Sequence, residues 1–531
     1  MLKEEDKSKD VRDMELMALN PSHPSTSTIH CYTTQESQNL THGNNNNNNN
    51  NEDDIDQIEK AQRFAAVEVD ELLLIPPPKS RFWLFATHAV GQFNEVAWKF
   101  SMSFFLSAFT NHESLVWVAA FGLSLDTAVT IGMPAVGSWI DSTTLNRLQI
   151  VQRTMAVETI SIAIASMALI LLLRSSSEHN GHVWGIYMAA LNSFSAIAKL
   201  ADQTLLVILE RDWVVEMCHK DHKWLSATNA WMRRIDLASQ VIWPVIIATV
   251  AIPLLVVHKI DTDTGNTRED WTLAACGIAV VNILALILQY IGTSVMYRLL
   301  PVLAMERFDT SESRNADEMS LEPSTGFFAG LNLYLSLPAS GAGLALSFLY
   351  MNALTFGNGI MTAHLLHRAM SLESIGLWRG LAALAGLAGT WIFHWSPLSL
   401  RWTALWSILY ECACLLVAAL SVVPIHAISS YVGDDESNTF STSLLIGGVL
   451  ASRTGLWVFD LCVTQLQQET VPDHARGVVG GVQQSLNSFF GLGSFAIGLA
   501  FPHNFNVCVL TAFGSVCMAA VFYICSLRSL K

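Results

Sequence analysis

The segment GSWIDSTTLNR, residues 137–147, separates two apolar stretches at residues 114–136 and 148–173. Each stretch can form a helix long enough to cross a hydrocarbon core of about 30 Å, which takes roughly 20 residues. A short charged connection between two such helices predicts a membrane hairpin whose turn faces water. Gly137 allows the helices to pack closely, and Asp141 and Arg147 place opposite charges at this membrane face.

The same pattern repeats along the chain and predicts an all-α polytopic membrane protein with twelve transmembrane helices. The composition agrees, because 51% of the residues are hydrophobic and only 14% are charged, against about 25% in soluble domains. A polar stretch at residues 307–325 separates six expected spans from six more. The spans are expected at residues 82–108, 114–136, 148–173, 183–208, 225–252, 271–298, 338–366, 374–395, 401–424, 441–468, 477–500 and 505–527.

These spans define two six-helix bundles with polar connections. Much of the net charge of −15 lies in an N-terminal segment that includes the run Asn44 to Asn51. This composition cannot bury enough apolar surface to offset the entropy of ordering, so the segment is predicted to be disordered. The expected domains are a cytosolic tail (1–75), an N-terminal bundle (76–298), a cytosolic linker (299–337), a C-terminal bundle (338–527) and a cytosolic C-terminus (528–531).

Lysine and arginine are concentrated in alternate short loops, which predicts that both termini are cytosolic. Arg147, Arg233, Arg234 and Arg476 fall on the cytosolic side of this arrangement, whereas the opposite loops carry few basic residues. The orientation is the same in the plasma membrane and in a vacuolar membrane, so both locations stay open. Two six-helix halves joined by a cytosolic linker resemble the major facilitator superfamily, in which a midplane site is exposed alternately to each side.

Four longer motifs resemble the signatures of the ferroportin family. They are RDWVVEMC (211–218), NAWMRRID (229–236), RTGLWVFDLCVTQLQQE (453–469) and RGVVGGVQQSLN (476–487). The resemblance implies a monomeric exporter that carries divalent metal, Fe(II) first, out of the cytosol by alternating access. It implies a lipid bilayer as surroundings, no permanently bound cofactor and no nucleic-acid partner.

Several polar residues within the N-terminal apolar spans form the first expected metal site. His88 and Glu95 are seven residues apart and therefore share a helix face, and ionisable groups inside a membrane need a partner or a water-filled cavity. The resemblance makes these two the first metal ligands. It also implies that Glu95, Glu158, Asn282 and Gln289 form an all-oxygen site for Ca(II), the type of shell that hard cations prefer. An interhelical hydrogen-bond cluster is the alternative.

The C-terminal bundle departs from the family pattern. The family's metal-binding cysteine is replaced near Asn358, and its histidine corresponds to about Ser494. Gly357 and Gly359 favour an unwound helix that could line a site. His364 then follows as a substitute metal ligand, although it can equally lie at the outer mouth and bind nothing.

Charged residues near the cytosolic ends of the helices are expected to form a gate. By resemblance, Arg233 and Asp460 form an ion pair between the two halves, and the alternative is static pairing within each half. The expected gate residues are Asp141, Arg147, Asp212, Arg233, Asp236, Arg453, Asp460 and Arg476.

The sequence contains no Walker motif, HExxH or GxSxG, so an enzyme is not expected. Transport would then depend on ion gradients, and proton antiport is consistent with the need of His88 and Glu95 to lose protons before binding metal. Two other functions remain open. One is export of nickel, cobalt or another divalent cation, and the other is a non-transporting membrane receptor or scaffold.

Overall fold

A computed structural model provides the structure of the protein. It describes residues 78–528, with gaps at 109–115, 175–180, 219–220, 247–249, 251, 256, 261–266, 305–326, 355–360, 362–363, 366–367, 369, 371, 423–433 and 502–503. The expected tail and Asn358 lie outside the described residues.

Six long helices are described in the N-terminal half. They are α1 (Pro78–Ala108), α2 (Val116–Ser142), α3 (Arg147–Arg174), α4 (Gly181–Leu206), α5 (His222–Ile246) and α6 (Thr272–Leu299). A π-helical segment, Val207–Trp213, and a short turn, Val214–Met217, extend α4 toward α5. Between α5 and α6 the antiparallel strands β1 (Val257–Ile260) and β2 (Thr267–Asp270) form a hairpin.

In the C-terminal half, the described residues include seven helices. They are α7 (Phe327–Ser336), α8 (Ser340–Leu349), α9 (Leu372–Trp395), α10 (Leu400–Leu420), α11 (Asp434–Thr470), α12 (Arg476–Ala500) and α13 (Phe505–Ser526). Leu337 and Ser340 donate backbone bonds that form the turn between α7 and α8.

The helical pattern agrees with the expected spans except in three places. The linker predicted to reach residue 337 ends earlier, because α7 already begins at Phe327. The span expected at 338–366 stops at Leu349, before the glycine-containing segment at 355–360 that lies outside the described residues. The hairpin at 257–270 was not predicted, since its strands are only four residues long.

Within the described ranges, seven helices combine sufficient length and apolar character to cross a membrane. Their exposed surfaces carry large apolar side chains such as Ile160, Leu284, Trp406 and Val521. In lipid this exposure costs nothing, because the surrounding acyl chains are as apolar as the side chains. The structure is therefore that of a multi-pass membrane protein.

Glycines allow the two halves to touch at one end of the molecule, where α2 meets α12. A Cβ atom on Gly137 would lie 2.3 Å from the carbonyl oxygen of Gly477, and one on Gly481 would lie 2.4 Å from that of Met133. Real side chains do not tolerate such distances, so only glycine permits this approach. Asp141 and Arg476, two residues of the expected gate, lie at this contact.

Candidate functional site

Three buried side chains from different elements meet inside the N-terminal half. His88 on α1, Glu210 in the π-helical segment and Asp236 on α5 offer one imidazole nitrogen and two carboxylate oxygens within 4.8 Å of one another. Ligands bound to one ion at about 2.2 Å lie no more than about 4.4 Å apart, so small side-chain movements would bring all three onto a single cation. We call His88, Glu210 and Asp236 the triad.

The π-helical segment places Glu210 in this cluster. Single π turns inside α-helices are uncommon and are frequent at functional sites. Here the segment keeps Glu210, Arg211 and Asp212 all buried, and the main-chain oxygen of Glu210 accepts a hydrogen bond of 2.7 Å from Gln468 Nε2 on α11. The backbone of this segment therefore contacts the opposite half, while the Glu210 side chain lies close to His88 and Asp236.

Asp236 belongs both to the triad and to a chain of ion pairs between the halves. One oxygen lies 2.7 Å from His88 Nε2, and the other accepts a bond of 3.0 Å from Arg233 Nη1. The other end of the same guanidinium lies 2.8 Å from Asp460 Oδ2 on α11. This second contact is an ion pair that joins the two halves.

A second interhalf cluster surrounds Arg476 at the start of α12. Arg476 lies 2.7 Å from Glu216 and 3.4 Å from Asp212. Arg147 pairs with the same two acids, at 3.0 Å from Asp212 and 3.6 Å from Glu216. Two arginines and two carboxylates thus join the halves, with Arg147, Asp212 and Glu216 all in the N-terminal half.

Asp141 makes the third link between the halves. Its oxygens accept hydrogen bonds from the backbone nitrogens of Gly477 (2.9 Å) and Val478 (2.7 Å). These nitrogens belong to the first turn of α12, whose donors have no partner within the helix. The carboxylate therefore caps a helix of the opposite half, and the helix dipole favours its negative charge.

A surface contact on the same side joins the start of α5 to the end of α11. His222 Nδ1 lies 2.7 Å from Glu469 Oε1, and His222 is mostly exposed. The hydrogen bond that His222 donates to Glu469 and the negative charge of that carboxylate raise the pKa of His222 above its usual value. The link is strongest with His222 protonated and weakens as pH rises through that pKa, and solvent screening keeps it weak.

Glu95 is not one of the three triad residues, and it lies beside a lysine. Lys199 on α4 donates a short hydrogen bond to Glu95 Oε1 and one of 3.0 Å to Asp202. The ammonium group therefore occupies the position between these carboxylates where a metal ion would otherwise compensate their charge. His88 and Glu95 share a face of α1 as predicted, but they have different partners.

The other residues of the expected calcium site are buried on α3 and α6. Glu158 Oε2 and Asn282 Oδ1 each lack a hydrogen-bond partner among the described residues. Gln289 packs against Gly91, where an added Cβ atom would meet its Nε2 at 3.1 Å. These oxygens could accept a cation, but Lys199 already provides the partner of Glu95.

Replacing Lys199 with methionine tests whether this ammonium group acts as an internal cation. We expect K199M to be destabilised by about 3–5 kcal/mol, because Glu95 and Asp202 lose their shared counter-charge. Added Ca(II) should then raise the thermal unfolding temperature of K199M more than that of wild type. K199R, which keeps the charge, is the control. Equal calcium responses in all three proteins would contradict the expectation.

In the C-terminal half the structure shows no metal ligand set around His364 within the described residues. Its ring stacks on Phe505 with 3.6 Å between the ring centroids and 6° between their planes.

Arg453 differs from the other expected gate residues in its surroundings. It is buried on α11, and its Nε and Nη2 have no hydrogen-bond partner among the described residues, while Glu411 on α10 interacts with it electrostatically.

Sequence reasoning missed Glu210, Glu216, Lys199 and Glu411. Glu210 directly precedes the motif RDWVVEMC, and Glu216 lies inside it. This motif could therefore have identified both residues as candidates. Lys199 and Glu411 are charged residues in otherwise apolar spans, and that property alone makes a membrane residue a functional candidate.

Comparison with solved structures defines the fold. The structure matches a bacterial homologue of the iron transporter ferroportin in its outward-facing state, solved with soaked iron, with a TM-score of 0.68, 21% identity, and coverage of 84% of this chain and 99% of that chain. The inward-facing state of a bacterial homologue gives a TM-score of 0.55. The major facilitator transporter FucP in its outward conformation gives 0.51 at 12% identity, over 84% and 99% of the two chains. The chain therefore has the fold of a major facilitator transporter, as predicted.

Sequence comparison then gives the family. The family model described as Ferroportin1 (FPN1) matches residues 78–516. Solute carrier family 40 member 1 of Oryza sativa subsp. japonica is 29% identical over 83% of this chain and 89% of its own length. Ferroportin of Homo sapiens is 25% identical over 84% and 90%. The chain belongs to the ferroportin family, and it is a membrane transporter and not an enzyme.

Proposed function

We propose that this protein exports a divalent metal ion, Fe(II) first, from the cytosol by alternating access. The observation that carries the proposal is the position of Asp236, which contacts His88 of the triad and Arg233 of the interhalf ion pair. The names of the relatives support the cargo, since matched relatives are an iron transporter and ferroportins.

The shared carboxylate suggests how metal binding and gate opening are coupled. In the present conformation the halves touch on the predicted cytosolic side, and Arg233 holds Asp236 and Asp460 together. Opening that side separates Arg233 from Asp460, while Arg233 stays beside Asp236 on α5. Metal that binds the triad in this open state competes with Arg233 for Asp236, which frees the guanidinium to pair with Asp460 and favours closure, so that release follows on the opposite side.

The donor set limits the cargo. One imidazole and two carboxylates suit Fe(II), Mn(II), Co(II), Ni(II) and Zn(II) better than a soft ion that prefers sulfur ligands. The free cysteines of the described residues are not part of the triad. Export of nickel or cobalt would therefore use the same three triad ligands, and competition between the metals measures which one the protein prefers.

Metal flux in proteoliposomes tests the proposal. Wild-type protein should carry Fe(II) across the bilayer at a rate well above that of protein-free vesicles, and the other divalent ions should compete with it. If Co(II) or Ni(II) is carried and Fe(II) is not, the assignment of Fe(II) as the cargo is wrong, and export by alternating access is retained. Absence of flux for every metal would overturn the proposal and favour a receptor or scaffold.

A further inference from the structure

Glu411 lies at the centre of the C-terminal half and has no role in the triad or the interhalf contacts. It occupies the middle of α10, and its exposed fraction is 0%. Neither carboxyl oxygen has a hydrogen-bond partner among the described residues. An ionised carboxylate in such surroundings is very costly, so this conformation favours the neutral, protonated acid.

Arg453 on α11 is the charged group that faces Glu411. It is 8% exposed, and its guanidinium stays charged in proteins. Glu411 and Arg453 interact electrostatically, yet they do not form an ion pair within 4.0 Å among the described contacts, and Arg453 Nε and Nη2 remain without an acceptor. The carboxyl group of Glu411 and the guanidinium of Arg453 are therefore neighbours that do not form an ion pair in this conformation.

The helices around Glu411 pack too closely to admit bulk water. At Gly455 of α11, an added Cβ atom would lie 2.7 Å from the main-chain carbonyl oxygen of Ser407 and 3.1 Å from Glu411 Cβ. Among the described residues, the other titratable groups beside Glu411 are the phenol of Tyr410 and the thiols of Cys412 and Cys414, all on α10, and Cys517 on α13 lies next to Cys412.

We propose that Glu411 is the proton-binding site that couples metal export to proton entry, with Arg453 as its partner in the deprotonated state. The inference rests on the proposed function. In the present conformation the acid is protonated and Arg453 is unpaired. In the alternate conformation Glu411 releases its proton to the cytosol, and the carboxylate forms an ion pair with Arg453.

The position of Arg453 connects this switch to the gate. Arg453 and Asp460 are seven residues apart on α11, so they share a helix face two turns apart. Movement of α11 that brings Arg453 to Glu411 also moves Asp460 relative to Arg233. One proton enters through Glu411 for each cycle, so the export of one divalent ion is accompanied by the entry of one positive charge at this site.

The test compares wild type with E411Q in proteoliposomes, with external pH lowered on the side that receives the metal. Wild type should show faster metal export under the proton gradient and proton entry reported by a pH-sensitive dye. E411Q should retain downhill metal exchange and lose both the stimulation and the proton signal. E411D, which keeps an acid, and S407A, one turn away on the same helix, should behave like wild type.

A spectroscopic measurement keeps the test decisive if E411Q fails to fold well. Infrared difference spectra of wild type should contain the carbonyl stretch of a protonated carboxylic acid, and E411D should show it shifted. A wild-type spectrum without that band, or unchanged proton coupling in E411Q, would overturn the inference. Absence of metal flux in wild type would instead refute the proposed function, while the infrared band would still report on Glu411.

Discussion

E210Q and H88A are each expected to abolish metal flux and to weaken metal binding strongly. Each removes one of three donors from the triad, and loss of even an outer-shell partner of a metal ligand costs about 10–100-fold in affinity. The loss of a direct ligand should be at least as large. Titration calorimetry of the purified protein with Co(II), which avoids the oxidation of Fe(II), measures the change.

T87A is the matched control for this experiment. Thr87 is next to His88 on α1, but its side chain faces Gly292 on α6, where an added Cβ atom would meet it. T87A should therefore bind Co(II) like wild type. E95Q decides between the two sites of the N-terminal half. If E95Q abolishes binding and E210Q does not, the metal binds beside Lys199 and the triad is structural.

R233Q is expected to shift the protein strongly toward the conformation that is open on the predicted cytosolic side. In the closed state the substitution leaves Asp460 buried without the cation supplied by the opposite half, which costs that state about 3–5 kcal/mol. At about 1.4 kcal/mol for each factor of ten, the ratio of closed to open states should fall by roughly two to three and a half orders of magnitude. Metal export should fall with it.

Distances between spin labels at Lys223 and Thr470 measure this shift, because both residues are exposed and lie at the ends of α5 and α11. The mean distance should increase in R233Q. R81Q is the control, since Arg81 stacks on Trp224 within the N-terminal half. The exchange of charges in R233D/D460R should partly restore the short distance. An unchanged distance in R233Q would show that the ion pair does not hold the gate.

The membrane fold could be predicted because its signal is local. An apolar stretch of about 20 residues identifies a span wherever it occurs, and the motif at 229–236 indicated the family without any tertiary information. The boundary between α7 and α8 was less visible, because both helices are apolar and only the turn at residues 337–340 separates them.

The sequence by itself determined the spans, the family and the presence of costly charges inside apolar helices, such as Glu95, Arg233 and Asp460. Tertiary structure alone decided their partners. Glu95 and His88 share a helix face, yet one contacts Lys199 and the other contacts Asp236, over 100 residues away in each case. The physical reason is that helix periodicity fixes which face a side chain occupies, whereas the packing of distant helices fixes which charge it meets.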